Sequence, residues 1–352
     1  MSLVPTIDEI DARWLSEHLA LETVTSVTSS SVGHGQVANC YRLVVERSDA
    51  PPTSFIAKVP SLDAVSRSTA TLQHLYEREV SFYQLLAANV AIRSPHCFYA
   101  ARDDTDDFLL ILEDLSPAAP IDQFGGIDID VARNGLAALA GLHGPTHALD
   151  DLHRSSWLRG VSDELAPLYA AVVPTFFDQF LARYDERLDD DVRDMVTSLK
   201  ARLTQFSDYV TPNPCVTHGD FRTDNLLIDA CAGAVPLAVV DWQTIGVGSP
   251  LLDVAYFLTT SLSPDDCERH DVELIDYYLD AMSEQQVRIS RAVAHHEFAR
   301  YTLQPIIMLV AASVIVEQTP RGDDMFLSMI ARAVVAATRW HALDALEHHA
   351  PA

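Results

Sequence analysis

His218-Gly219-Asp220-Phe221-Arg222-Thr223-Asp224-Asn225-Leu226-Leu227 is the stretch on which the reading of this 352-residue chain turns. Apolar Cys215-Val216 precede it and Leu226-Leu227-Ile228 close it, so it reads as a polar loop between short buried strands. The loop gathers an imidazole, two carboxylates and a carboxamide, and loops on a rigid scaffold are where reactive groups concentrate. Farther on, Leu237-Ala238-Val239-Val240-Asp241-Trp242-Gln243 reads as a buried strand that delivers a carboxylate at its C-terminal end. Asp220, Asn225 and Asp241 offer hard oxygen donors of the kind magnesium takes beside substrate phosphates. Each segment also has a plainer reading, because Asp, Asn and Gly form turns and a strand-terminal Asp caps the turn that follows.

Upstream, Leu72, Leu75, Phe82 and Leu86 step by three, seven and four residues, which predicts one apolar stripe on a helix between Ala64 and Asn89. Glu79 falls inside that stripe, and a buried carboxylate calls for a cationic partner. Lys58 is the candidate: in Ser54-Phe55-Ile56-Ala57-Lys58-Val59 it shares the face of Ile56 within an apolar strand. The competing reading sends Lys58 to solvent along its methylene stem and leaves Glu79 at the edge of the stripe. Ser31-Val32-Gly33-His34-Gly35-Gln36 lies between two candidate strands and suits either a phosphate-covering loop or a plain hairpin. Ser249 and Pro250 start a helix in which Asp253 is surrounded by apolar residues; that carboxylate is expected to accept backbone N–H groups of the His218 loop.

The texture changes along the chain. Candidate strands run over Asn39 to Glu46, Ser54 to Val59, Phe98 to Asp103 and Phe108 to Glu113. After Ser116 helical periods dominate: Asp128 to Leu149, Ser162 to Leu188, Asp190 to Phe206, Asp265 to Glu284, Arg288 to Val316 and Arg321 to His348. A small β-rich lobe (1–115) followed by a larger helical lobe (116–352) is the expected order, joined by Glu113-Asp114-Leu115-Ser116. Lys and Arg total 24 against 50 Asp and Glu, a net charge of −26 that argues against nucleic acid or anionic lipid as a partner. Five scattered cysteines without a C-x-x-C pair argue against zinc and a disulfide framework. The N-terminus lacks the features of a signal peptide, and Tyr301 to Val316 reads as a buried helix rather than a membrane span. A soluble cytoplasmic protein with no membrane partner, a monomer or homodimer, is expected.

A glycine loop, a strand lysine, a helix glutamate, H-G-D-x-x-x-x-N and a strand-end D-W-Q follow one another here in the order of a known family. The chain resembles the aminoglycoside phosphotransferase and choline kinase-like branch of the protein-kinase-like fold over residues 25–260. Its wording is similar to bacterial phosphotransferases of that group and to the ecdysteroid-kinase-like proteins, which carry a D-F-Q or D-W-Q. The resemblance implies an α+β, two-lobed fold, with an antiparallel sheet and one helix first and a mostly helical part after. It implies ATP and Mg²⁺ as cofactors and a small-molecule hydroxyl acceptor as partner. Asp220 then matches the catalytic aspartate, Asn225 and Asp241 the metal pair, and Lys58 the phosphate lysine steadied by Glu79. Gly33 and Gly35 match the phosphate-covering loop, Glu113 and Leu115 belong to the adenine-binding linker, and Leu227 lies beneath the ring. His218 and Asp253 support the catalytic loop, while Asp224 matches no role and is expected to be solvated.

Two other functions compete. A catalytically silent nucleotide-binding protein would keep the fold, yet none of Asp220, Asn225, Asp241 or Lys58 is lost. A metal-dependent hydrolase would need His218 and Asp220 with His295-His296 or His348-His349, but adjacent helical histidines point apart. No A-P-E-like segment separates Asp241 from Asp253, which disfavours a protein kinase. The acceptor is less legible: acidity suits a polyamine, whereas D-W-Q resembles the ecdysteroid-kinase-like side, a resemblance that implies acceptors which can be uncharged and apolar. Leu168, Tyr169, Phe176, Phe177, Phe180 and Tyr184 are spaced either to line an apolar pocket or, as a buried helix face requires, to fill a core.

Overall fold

Five strands pair into one antiparallel sheet, order β1-β2-β3-β5-β4, in the computed structural model of the chain. The structure describes residues 6–32, 37–158, 166–230, 233, 235–316 and 318–347. Helix α1 (Ala12–Leu19) leads into β1 (Val24–Ser31), β2 (Ala38–Arg47) and β3 (Thr53–Pro60). Helices α2 (Ala64–Leu72) and α3 (Leu75–Ser81) come before β4 (Cys97–Arg102) and β5 (Phe108–Glu113). Then follow β6 (Ala119–Pro120), α4 (Ile129–Thr146), α5 (Asp150–His153), α6 (Ala166–Arg183), α7 (Asp190–Lys200) and α8 (Leu203–Ser207). Short strands β7 (Cys215–Thr217), β8 (Leu226–Ala230), β9 (Val235–Val239) and β10 (Gly246–Gly248) precede the last helices. These are α9 (Pro250–Ser261), α10 (Pro264–Glu284), α11 (Arg291–Tyr301), α12 (Gln304–Ile315) and α13 (Pro320–Arg339).

The chain forms two compact units. The first comprises Met1–Asn89, Arg93–Ala118 and Asp229–Ile245; the second comprises Val90–Ile92, Ala119–Ile228 and Gly246–Ala352. This differs from a single cut after residue 115. The segment holding β9 groups with the sheet because the Val239 N–H donates to the Arg93 carbonyl at 2.8 Å.

In the first unit, Leu43, Val45, Phe55, Ala57, Leu109 and Ile111 bury one sheet face with Leu15 of α1. The alternation of β3 sends Lys58 to the opposite face, in register with Cys40 of β2 and Leu110 of β5. The helix expected over Ala64 to Asn89 is broken. His74 takes a left-handed conformation, φ 56°, between α2 and α3, and a π-type turn carries Phe82–Leu86. The break shifts the phase, so Leu72 is exposed while Leu75, Glu79, Phe82 and Leu86 stay buried. Sequence periodicity treats the segment as continuous and cannot register that shift.

In the second unit, Ser249 caps α9 by accepting the Leu251 N–H, and α9 is almost wholly buried. Phe177 and Phe180 of α6, with Tyr184 just beyond it, pack into a core with α7, α12 and α13, with Phe176 half-buried against it; Leu168 is exposed. Phe176, Phe177, Phe180 and Tyr184 are core, not a pocket wall; the Tyr169 side chain lies outside the described residues. The helix expected over Arg288 to Val316 is two, because Pro305, without an N–H, sits in the first turn of α12. Arg291–Ile315 is long and apolar enough to cross a membrane, yet 61% of its apolar window is buried. It also holds the buried Glu297 and Arg300.

Glycine lets α4 approach its neighbours. A Cβ at Gly135 would stand 2.5 Å from the Phe257 ring, and one at Gly144 would stand 2.4 Å from the Gln285 side chain. Gly135→Ala should therefore destabilise the protein by about 1–3 kcal/mol through overpacking, despite alanine's better helix propensity. Thermal denaturation checks this; an unchanged or higher Tm would show that Phe257 yields freely.

Candidate active site

In the first unit three charged side chains meet. Lys58 Nζ lies 2.8 Å from Glu79 Oε1 and 2.8 Å from Asp241 Oδ1. Lys58 is 8% exposed and Glu79 only 1%. Burial alone would push the ammonium down, but the Asp241 and Glu79 carboxylates outweigh it and hold Lys58 well above its ordinary value. Burial pushes the Glu79 carboxyl up, against the pull of Lys58. One ammonium between two carboxylates leaves a formal excess of one negative charge. The more accessible carboxylate is that of Asp241, whose side chain is 29% exposed.

The chain directs Asp241 with care. Its backbone is left-handed, φ 66°, a conformation that Asp tolerates better than most residues. Gln243 Nε2 donates to Asp241 Oδ2 at 3.0 Å. Trp242 is fully buried and stacks on Phe82, ring centroids 3.7 Å apart and planes 8° apart. Glu79 and Phe82 lie on consecutive turns, so one helical segment grips both Lys58 and the D-W-Q segment.

In the second unit the catalytic-loop candidates are held by buried groups. Asp253 Oδ2 accepts the His218 N–H at 2.7 Å and its Oδ1 accepts the Gly219 N–H at 2.9 Å, the backbone bonds its apolar surroundings call for. His143 Nε2 sits 3.1 Å from Asp253 Oδ2, and His143 Nδ1 sits 2.7 Å from the Tyr278 hydroxyl. All three of these side chains are buried. Gly219 turns with φ 83°, and the Asp220 N–H donates back to His218 Nδ1 at 3.3 Å, so His218 organises the loop. Asn225 Nδ2 donates to the Asp220 carbonyl at 2.9 Å and to its Oδ2 at 3.1 Å. That leaves the carboxamide oxygen as the atom of Asn225 that a cation would take.

Asp224 is not simply solvated, as expected from sequence. It is paired with the Arg222 guanidinium, whose Nε also lies 3.1 Å from Asp220 Oδ1 and 3.2 Å from Oδ2. Tyr256 stands against Asp220, and its phenol is pushed well up by burial and by that carboxylate. The Thr223 hydroxyl donates to Gln123, and Gln123 Nε2 donates to the Thr260 carbonyl at 2.8 Å.

The remaining expected residues fall in different places. Both Glu113 oxygens pair with Arg93, and Glu113 accepts the His96 N–H at 2.9 Å. Leu115 is buried in the first unit, whereas half-buried Leu227 pairs with Pro120 across β6 and β8 in the second. Gly33, Gly35 and the pair His348-His349 lie outside the described residues. His295 packs on Trp340 and His296 faces Tyr209, so the adjacent imidazoles diverge. Among the described residues no three His, Cys, Asp or Glu side chains form a metal cluster.

Sequence reasoning missed Gln123, His143, Tyr256 and Tyr278. A histidine inside the apolar run of α4 was a legible signal for His143, because a buried imidazole must find partners. A lone Gln or a helical Tyr carries no such signal.

The chain matches the ecdysteroid kinase-like family over residues 35–290. It belongs to that family. No curated protein matches it. Among solved structures it is similar to the GDP complex of wild-type aminoglycoside 2'-phosphotransferase-IIIa: TM-score 0.54, 14% identity, covering 90% of this chain and 96% of that one. It is also similar to a microcompartment-associated aminopropanol kinase, with TM-score 0.52 and 14% identity over 95% of this chain and 98% of that one. An aminoglycoside phosphotransferase from Alicyclobacillus acidocaldarius gives TM-score 0.52 and 15% identity over 99% and 98%. Likeness at that identity shows the fold, which is the α+β, protein-kinase-like fold expected from the sequence.

Removing Lys58 isolates Glu79 in the interior. Lys58→Ala should cost about 3–5 kcal/mol, and Lys58→Met/Glu79→Leu should regain much of that loss because no buried charge is left unpaired. Chemical denaturation of the three proteins decides; a Lys58→Ala variant as stable as wild type would contradict the pairing.

Proposed function

We propose that this family member is an ATP-dependent kinase that phosphorylates a hydroxyl of a small molecule. The observation that carries the reading is the Lys58–Glu79–Asp241 cluster, which keeps a buried ammonium charged in β3 and sets the more accessible Asp241 carboxylate beside it. Lys58 would pair with the α- and β-phosphates, and Glu79 would hold it there. Residues 1–115 would bind the nucleotide, with Gly33 and Gly35 over the phosphates, Glu113 and Leu115 at the adenine edge, and Leu227 against its face. Residues 116–352 would carry the catalytic loop and the acceptor site, with Asp241 returning to the nucleotide.

Asn225 would offer a carboxamide oxygen and Asp241 a carboxylate, each a hard donor of the kind Mg²⁺ takes. When bound, that ion would neutralise phosphate charge. Asp220 would orient the acceptor hydroxyl and take its proton as the oxygen attacks the γ-phosphorus. A new O–P bond forms, the bond from the γ-phosphorus to the bridging oxygen breaks, and its electron pair leaves with ADP. Phosphoryl transfer needs in-line positioning and charge cancellation more than covalent chemistry, and fixed donors supply both. Asp253 and His218 would keep the loop from moving during the step. The net charge of −26 argues against a nucleic-acid or anionic-membrane partner, and five scattered cysteines without a C-x-x-C pair suit the cytoplasm.

An ADP-release screen with Mg·ATP across aminoglycosides, choline-like amines, sugars and sterols tests the reaction class and the acceptor together. Asp220→Asn should lower turnover on the acceptor found by about 10²–10⁴-fold while Mg·ATP still binds. Unchanged turnover would remove Asp220 as the base. Binding of Mg·ATP by the wild type with no turnover on any alcohol would favour the catalytically silent reading.

A further inference from the structure

The kinase reading leaves Arg222 and Asp224 without a task. Arg222 is the one Lys or Arg between His218 and Ile228, in a chain with a net charge of −26. Its Nε spans both oxygens of Asp220, at 3.1 and 3.2 Å, and its Nη1 pairs with Asp224 at 2.5 Å. Burial would lower the guanidinium, but the Asp220 charge, followed by Tyr256 and Asp224, holds it well above its ordinary value. The Arg222 and Asp220 side chains are each 20% exposed, so the pair opens toward solvent rather than closing a core.

We infer that Arg222 is a second catalytic cation, which contacts the transferring γ-phosphoryl group, and that Asp224 is the positioning residue that holds its fork. The inference rests on the kinase reading, because it takes Asp220 as the base. A base within hydrogen-bond reach of the attacking hydroxyl stands close to the phosphorus, since reacting atoms approach within about 3–3.5 Å. A guanidinium bonded to that base is then near the equatorial oxygens on which charge collects. Arginine suits the place. Its planar fork carries five donors, so Nε can stay on Asp220 and one terminal nitrogen on Asp224 while the other donors take phosphate oxygens. The reaction keeps the balance given above: Arg222 neither gains nor loses a proton.

The contact predicts discrimination between nucleotides, because only ATP carries a γ-phosphate. Titration calorimetry with Mg·ATP and Mg·ADP should show Arg222→Gln losing about tenfold or more in affinity for ATP while ADP affinity stays within about twofold. Arg222→Lys should retain part of the ATP preference, since the charge remains and the fork is lost. Asp224→Asn should cause a smaller loss of the same ATP-specific kind. Thermal melts of each variant separate misfolding from the effect sought, and Arg222→Lys, which leaves no carboxylate without a cation, keeps the test open if Arg222→Gln is unstable. Equal losses for ATP and ADP, or no loss for either, in folded variants would reduce Arg222 to a loop brace and overturn the inference. A wild-type protein that binds neither nucleotide would instead remove the kinase reading on which the inference stands.

Discussion

A lysine ammonium taken out of water must be neutralised, and here it is neutralised twice. That constraint organises the first unit. Lys58 faces away from the sheet core, and two carboxylates from distant points in the chain must reach it. Glu79 comes from α3 and Asp241 from the end of the segment containing β9. Segment Asp229–Ile245 is thereby tied to a sheet from which it is separated by more than a hundred residues. Removing Lys58 strands the buried Glu79 carboxylate, so the cluster can hold these segments in one arrangement even where it adds little net stability. The Phe82–Trp242 stack fixes the same two segments by apolar contact, so the charge geometry does not depend on ion pairing alone.

The second unit solves a related problem with backbone N–H groups and an imidazole. Asp253, without solvent contact, is satisfied by two backbone N–H groups and His143, and in exchange it fixes the turn at Gly219. From that turn Asp220, Asn225 and Arg222 project as a connected group, each bonded to another. The loop's polar side chains are accordingly pre-positioned, and little reorganisation would remain for a reacting substrate.

Much of this was legible in the sequence because burial makes awkward residues conspicuous. Glu79 in an apolar stripe and Lys58 in an apolar strand each demanded a partner, and they found one another. Asp253 in an apolar helix called for backbone donors and has them. What was not legible depends on geometry that residue spacing does not encode. The left-handed His74 divides a helix whose pattern looks continuous, and Leu72 is exposed as a result. Pro305 divides another. Asp241 as a second partner of Lys58 needed the return of a remote segment, and Asp224 looked solvated because its partner Arg222, two residues away, carries no periodic signal. Gln123 illustrates the limit: its role at Thr223 arises from a contact across a hundred residues of chain.

At the centre of this account Asp241, the more accessible carboxylate beside Lys58, would serve as a ligand of the nucleotide's Mg²⁺. Calorimetric titration of ATP with and without Mg²⁺, in wild type and Asp241→Asn, measures that directly. Wild type should bind ATP at least about tenfold more tightly with Mg²⁺ than without, and Asp241→Asn should lose that dependence while remaining folded. Equal ATP affinity in wild type with and without Mg²⁺, or an Asp241→Asn protein that keeps the full Mg²⁺ effect, would contradict it.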